Sequence, residues 1–177
     1  ELGGSAPDCR FLLENNARGR DKKPDKTIYL VDMARIVDLT GQMDEKGLLS
    51  WDAPEGDWNI MRIGYTCTQS EVSTSSRDWQ GNVLDYMDRS AFDFYWNTIV
   101  KPILQAAGEK HVGSTLKFME TDSWECGGMN WTDAFADEFR SYCGYDLKQY
   151  LPLIAGHVVN NIDTSNAFLA DFRKTIA

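Results

Sequence analysis

Glu120, Asp122 and Glu125 put three carboxylates within six residues, and Trp124, Asn130 and Trp131 follow at once. Carboxylates held close together repel, so one of them keeps its proton to higher pH. A proton retained near neutrality is what a general acid needs to protonate a leaving sugar oxygen. Glu120 and Asp122 stand two apart, and on an extended strand they face one way. Glu125, past the strand end, can turn into the mouth of a site. Trp124 and Trp131 offer flat rings whose faces cover sugar C–H bonds, or simply fill a core. The same carboxylates, with backbone carbonyls, suit Ca²⁺. The structural alternative is a polar strand-to-helix loop with capping acids. Cys126 adjoins the cluster, but His111 and His157 give it no local base, which argues against a thiol nucleophile. Asn130-Trp131-Thr132 also spells a glycosylation sequon, here overlapping a helix cap.

The elements that must position these groups change character along the chain. Residues 1 to about 70 read as strands and turns. Residues 27–31 are β-branched and aromatic and form a strand. Residues 36–39 and 48–51 pair as a hairpin around Asp44-Glu45-Lys46-Gly47, and Pro54 and Gly56 mark a second turn. Residues 58–66 make the next strand, with Met61, Ile63 and Tyr65 on one face, and residues 68–81 form a polar surface loop. Asp88 caps a helix running to about Ala107, with Phe92, Tyr95, Trp96, Ile99, Val100, Ile103 and Leu104 as its apolar stripe; Pro102 predicts a kink or an early end. Residues 115–121 are the next strand. Thr132 caps a helix with Phe135, Phe139 and Tyr142 inward and a stop at Gly144. A short helical piece over residues 145–151 ends at Pro152. Ser165 opens the last helix, with Leu169, Phe172 and Ile176 inward.

From residue 58 the order is β, α, β, α, α, the alternation of a parallel sheet with crossover helices. The fold class is therefore α/β. Carboxyl ends of such strands are where sites are built, which favours the acidic corner. A closed eight-fold barrel takes about 250 residues, so 177 residues accommodate the first part of one or a small open sheet.

The 18 basic and 27 acidic residues give a net charge of −9. That balance disfavours nucleic acid and anionic lipid as partners, and no apolar run approaches the ~18 residues of a membrane span. Cys9, Cys67, Cys126 and Cys143 include no C-x-x-C pair, which disfavours a structural zinc site; free, partly buried thiols are favoured over two disulfides, for which the wide spacings identify no pairing. The opening Glu1-Leu2-Gly3-Gly4 and the unterminated helical pattern at the end both read as cuts in a longer protein.

Several stretches resemble glycoside hydrolase family 106, the α-L-rhamnosidases. They are residues 38–40, 47–58 and 62–66, then Asp122-Ser123-Trp124-Glu125, Asn130-Trp131-Thr132, Phe139-Arg140, Gly144-Tyr145-Asp146, Tyr150-Leu151-Pro152 and residues 168–173, collinear over residues 36–177. The resemblance implies large multidomain inverting enzymes with a (β/α)₈ catalytic barrel. Residues 58–177 would then be the first part of that barrel, and residues 1–57 a β-rich segment before it. It also implies Glu125 as general acid, Asp122 orienting it or contacting the sugar, Asn130 bonding a hydroxyl, and Trp124 and Trp131 as pocket walls; Glu120 joins them as a substrate contact. The second carboxylate of an inverting pair, about 6.5–9.5 Å from the first, would lie beyond Ala177, leaving the isolated chain inactive. Calcium, a carbohydrate substrate, the remainder of the parent polypeptide as partner, and a periplasmic or extracellular location are further implications. The family tends to carry an acidic residue and a Lys around Gly-x-x-x-Asp before the first long helix. Here Gly81-Asn82-Val83-Leu84-Asp85-Tyr86 keeps the Gly and the Asp but has Val83 and Tyr86. That departure supports an alternative, a catalytically inactive sugar-binding relative; a structural α/β domain is the other.

Overall fold

In a computed structural model of the chain, residues 29–72, 76–120 and 129–177 are described. Contacts divide the chain into two units, Glu1–Tyr65 with Ala136–Ala177, and Thr66–Phe135.

The first unit is built on a parallel pair, β1 (Leu30–Val31) and β2 (Val158–Val159), with Leu30 opposite Val158 and Val31 opposite Val159. Both valines of β2 are fully buried. Asn160 follows in a left-handed conformation, φ +58°, which Asn tolerates better than most residues. Its N–H donates to Val31 O at 2.8 Å, and its Oδ1 accepts from Met33 N–H at 2.9 Å. Asn161 caps α4 (Ile162–Ile176) by accepting from Thr164 N–H. Ser165, fully buried in the first turn of that helix, accepts from Val159 N–H at 3.0 Å and donates to Val159 O at 3.1 Å. One hydroxyl therefore satisfies a buried strand residue that has no further ladder, as buried backbone polar groups require.

An aromatic cluster packs beside this pair. Phe139 of α3 (Phe135–Cys143) lies 5.1 Å from Tyr145, 5.6 Å from Phe168 and 6.5 Å from Phe172 between ring centroids. Tyr150, on the 3₁₀ helix Leu147–Ala155, stacks on Phe168 at 4.6 Å. The Tyr145 hydroxyl donates to Asp171 at 3.1 Å; burial, followed by that neighbouring carboxylate, raises its pKa. Asp146 caps the 3₁₀ helix through Lys148 N–H and accepts from Arg140 at 3.0 Å.

The expected stop at Gly144 is observed, with φ +80°. Pro152, by contrast, does not end its helix. The 3₁₀ helix runs through it to Gly156, φ +85°, while Pro152 O accepts from His157 N–H. The last helix opens at Asn161 rather than Ser165, and Tyr142 is exposed, since the buried face passes through Phe135 and Phe139.

Residues 29–57 are mostly irregular, with two short 3₁₀ helices, Met33–Arg35 and Thr40–Gln42. The hairpin forms, but closer to its turn than the apolar pattern suggests. Met43 bridges Leu49, Asp44 N–H donates to Leu48 O, and Gly47 N–H donates to Asp44 O at 2.8 Å. Gly47, φ +80°, lies under the Arg62 guanidinium, which an added Cβ would meet at 2.9 Å. The second turn is closed by the Trp58 indole N–H, which donates to Pro54 O at 2.9 Å, and Trp58 stands edge-on to Trp51. Residues 58–66, read as a strand, have no ladder partner among the described residues. Period-two patterning reports a side-chain preference, whereas a strand also needs a neighbour for its N–H and C=O groups.

In the second unit, Asp88 caps α1 (Arg89–Tyr95) by accepting from Ser90 N–H at 2.8 Å. A π turn over Trp96–Val100 leads into α2 (Lys101–Ala107), closed by Gly108 at φ +89°. Pro102 lacks an N–H and crowds the carbonyl four residues back; the wider π turn just before it lets the helix continue past the predicted break. The apolar stripe is not a buried one: Phe92, Tyr95 and Ile103 are all exposed. Residues 115–120 are also not a strand. A tight turn joins Val112 to Leu116, and Phe118 beyond it is 87% exposed.

Two outcomes follow for the first unit. Ser165→Ala orphans the Val159 N–H, while Val159 O retains its bond from Asn161 N–H at 2.7 Å. Denaturant unfolding of the chain is expected to show a loss of about 1–3 kcal/mol. The second concerns Asp38, whose carboxylate accepts from the Thr40 side chain and N–H and lies 3.1 Å from Lys148 Nζ. Those bonds lower its pKa to about 2. Its contribution is therefore complete above the unfolded carboxylate value of about 3.9 and is lost as pH falls through about 2. The stability gap between wild type and Asp38→Asn should narrow over that interval; equal gaps at pH 5 and pH 2 would remove Asp38 from the account.

Candidate active site

The candidate region is organised from one turn, Asp85-Tyr86-Met87-Asp88, immediately before α1. Asp85 Oδ1 accepts from Met87 N–H at 3.0 Å, and Asp85 O accepts from Asp88 N–H at 3.3 Å. These local bonds hold an Asx-type turn. They leave Oδ2 to accept from the Thr132 hydroxyl at 2.9 Å. Thr132 is buried, and its carbonyl accepts from Phe135 N–H at 3.0 Å, starting α3. The expected N-cap residue thus supplies its carbonyl to the helix and its proton to Asp85. Tyr86 extends the same turn, its hydroxyl accepting from Met129 N–H at 2.8 Å.

Between these two attachments lie Asn130 and Trp131, both half-buried. The Trp131 ring leans on Phe135 at 5.1 Å with a 43° tilt. Of the other residues predicted for the site, Glu120 is exposed. Asp122, Trp124 and Glu125 lie outside the described residues.

An open hollow of about 450 Å³ borders the turn, lined by Tyr86, Met87, Asp88, Arg89, Phe92 and Asp93. Of the predicted site residues that are described, Glu120, Asn130 and Trp131 do not line it; Tyr86 both lines it and bonds the Met129 N–H. Asp88, at the rim, is held ionised by the Ser90 hydroxyl and then by Ser90 N–H, which lower its pKa. Asp93 faces Arg89 at 3.9 Å on the exposed side of α1. Among the described residues no three His, Cys, Asp or Glu side chains come together to hold a metal.

Sequence reasoning singled out Asn130, Trp131 and Thr132 but not the residues that hold them. Asp85 and Tyr86 stood out only as a retained Asp and a departure. Their partners lie 47 and 43 residues away, beyond the reach of any local pattern.

Comparison with known proteins bears on this arrangement. The model of the glycoside hydrolase 106 family, alpha-L-rhamnosidase, matches residues 10–177. The chain belongs to this family. A Formosa agariphila protein named "Putative beta-glucuronidase" is 37% identical to it over 147 residues, covering 83% of this chain and 13% of that protein. The structure of a rhamnosidase from Novosphingobium sp. PP1Y superposes with a TM-score of 0.70 at 26% identity, over 93% of this chain and 16% of that one. This family 106 chain thus spans about an eighth to a sixth of the length of these relatives. Among its described residues no helix is long and apolar enough to cross a membrane.

Proposed function

We propose that this chain is part of a glycoside hydrolase that cleaves terminal α-L-rhamnosides from polysaccharides or glycosides. The observation that carries the reading is the family match over residues 10–177, together with the likeness to the Novosphingobium rhamnosidase. Residues 58–177 would form the first part of a (β/α)₈ barrel, residues 1–57 the segment before it, and later parts of the parent polypeptide the remaining strands. Glu125 serves as general acid, protonating the leaving glycosidic oxygen. Asp122 orients it, Glu120 and Asn130 bond sugar hydroxyls, and Trp124 and Trp131 cover the C–H faces of the ring. An inverting reaction needs a second carboxylate to activate water from the opposite face, and the remainder of the parent supplies it. Calcium is a cofactor of the parent by the same resemblance. A polysaccharide substrate too large to cross a membrane places the enzyme in the periplasm or outside the cell.

The name of the Formosa relative raises a second sugar class. A glucuronide carries a carboxylate at C6 and requires a cation in its pocket, whereas rhamnose presents a methyl group there. Full-length parent protein assayed on aryl α-L-rhamnoside and aryl β-D-glucuronide separates the two, with hydrolysis expected on the rhamnoside. In the same protein Glu125→Gln is expected to lower turnover of rhamnosides with poor leaving groups by about 10²–10⁴-fold, and activated aryl rhamnosides by less. Undiminished turnover would end the assignment of the acid.

A further inference from the structure

Two hydrogen bonds from adjacent residues meet the chain on either side of Asn130 and Trp131. Tyr86 takes the Met129 N–H at 2.8 Å and Asp85 takes the Thr132 hydroxyl at 2.9 Å. Asp85 is itself immobilised by Met87 N–H and Asp88 N–H, and Asp88 caps α1. The two bonds therefore tie the Asn130-Trp131 step to the start of a helix. A dipeptide fixed at both ends has fewer backbone dihedrals left to vary, so Asn130 and Trp131 leave less backbone ordering to be done on binding.

We propose that Asp85 and Tyr86 are positioning residues that hold Asn130 and Trp131 in register for a pyranose ring, a role that rests on the glycosidase reading above. Neither needs to touch the sugar. Tyr86 contributes a hydroxyl oxygen as acceptor, and Asp85 a carboxylate with one oxygen for its own turn and one for Thr132. A loosened step weakens the grip on ground state and transition state together, which raises KM more than it lowers kcat.

The test uses full-length parent protein, with aryl α-L-rhamnoside as substrate and free L-rhamnose as competitive inhibitor. Tyr86→Phe removes the acceptor oxygen while keeping the ring. It is expected to raise KM and the rhamnose inhibition constant about five- to tenfold, leave kcat within about twofold, and move the thermal midpoint by no more than about 2 °C. Asp85→Ala should show a larger rise in both constants. Asp85→Asn keeps its amide oxygen for the Met87 N–H and can donate its NH₂ to the Thr132 hydroxyl oxygen, and should recover most of it. If Asp85→Ala does not fold, Tyr86→Phe and Asp85→Asn decide. Unchanged constants in Tyr86→Phe, with an active wild type, would overturn the positioning role and leave the glycosidase reading standing. So would losses of kcat and thermal midpoint in step with KM, which mark a purely structural bond. A wild-type parent that neither hydrolyses a glycoside nor binds rhamnose would remove both readings at once.

Discussion

The first unit depends on a pairing only two residues long. Leu30 and Val31 meet Val158 and Val159 across more than 120 residues of chain, so closing that contact carries a substantial loop-ordering cost. Two ladder residues would not hold it alone, because a short isolated pair leaves its outer N–H and C=O groups unsatisfied. Three polar side chains answer this. Asn160 bonds back across β1, Asn161 caps the following helix, and Ser165 closes on Val159. With the backbone satisfied, Val158 and Val159 are fully buried within the same unit as Phe139, Phe168 and Phe172. The polar residues make the site habitable for the strand, and the buried Phe, Leu and Val side chains remove the apolar area from water that drives folding.

The second unit works by different means. No residue of α1, the π turn or α2 is fully buried, and Phe94 on α1 is 70% exposed. Hydrogen bonds carry its order instead: the local Asp88 cap and Gly108 close, and the Asp85 turn with its long-range bond to Thr132. Hydrogen bonds of this kind contribute about 1 kcal/mol each. They specify geometry more than they supply stability.

How much could be read from the sequence follows the range of the interaction responsible. Caps and stops use neighbours within four residues, and Asp88 and Gly144 were legible for that reason. The family resemblance was legible too, and the structure explains some of its content. Gly47 and Arg62 share a close approach, Trp58 closes the turn at Pro54, Arg140 meets Asp146, and Tyr150 stacks on Phe168. Much of the collinear pattern is therefore scaffold. β2 was not legible, because two valines make no periodic signal and their partner lies near the other end of the chain. Residues 58–66 and 115–120 were overread for the converse reason. Their side chains suit a sheet, but pairing depends on a neighbour that no local pattern contains.

The same distinction sorts the carboxylates around the hollow. An acid that is to give up a proton must not already be surrounded by donors that favour its charged form. Asp88 fails this test, since the Ser90 hydroxyl and N–H hold it ionised. Asp93 answers Arg89. Asp85 has both oxygens committed as acceptors, one to Met87 N–H and one to the Thr132 hydroxyl. Each of these three serves architecture or a neighbouring charge. What the turn contributes is a fixed frame for the polar and aromatic groups beside it. An Asp kept by sequence pattern is thus explained by the hydroxyl it holds rather than by any proton it transfers.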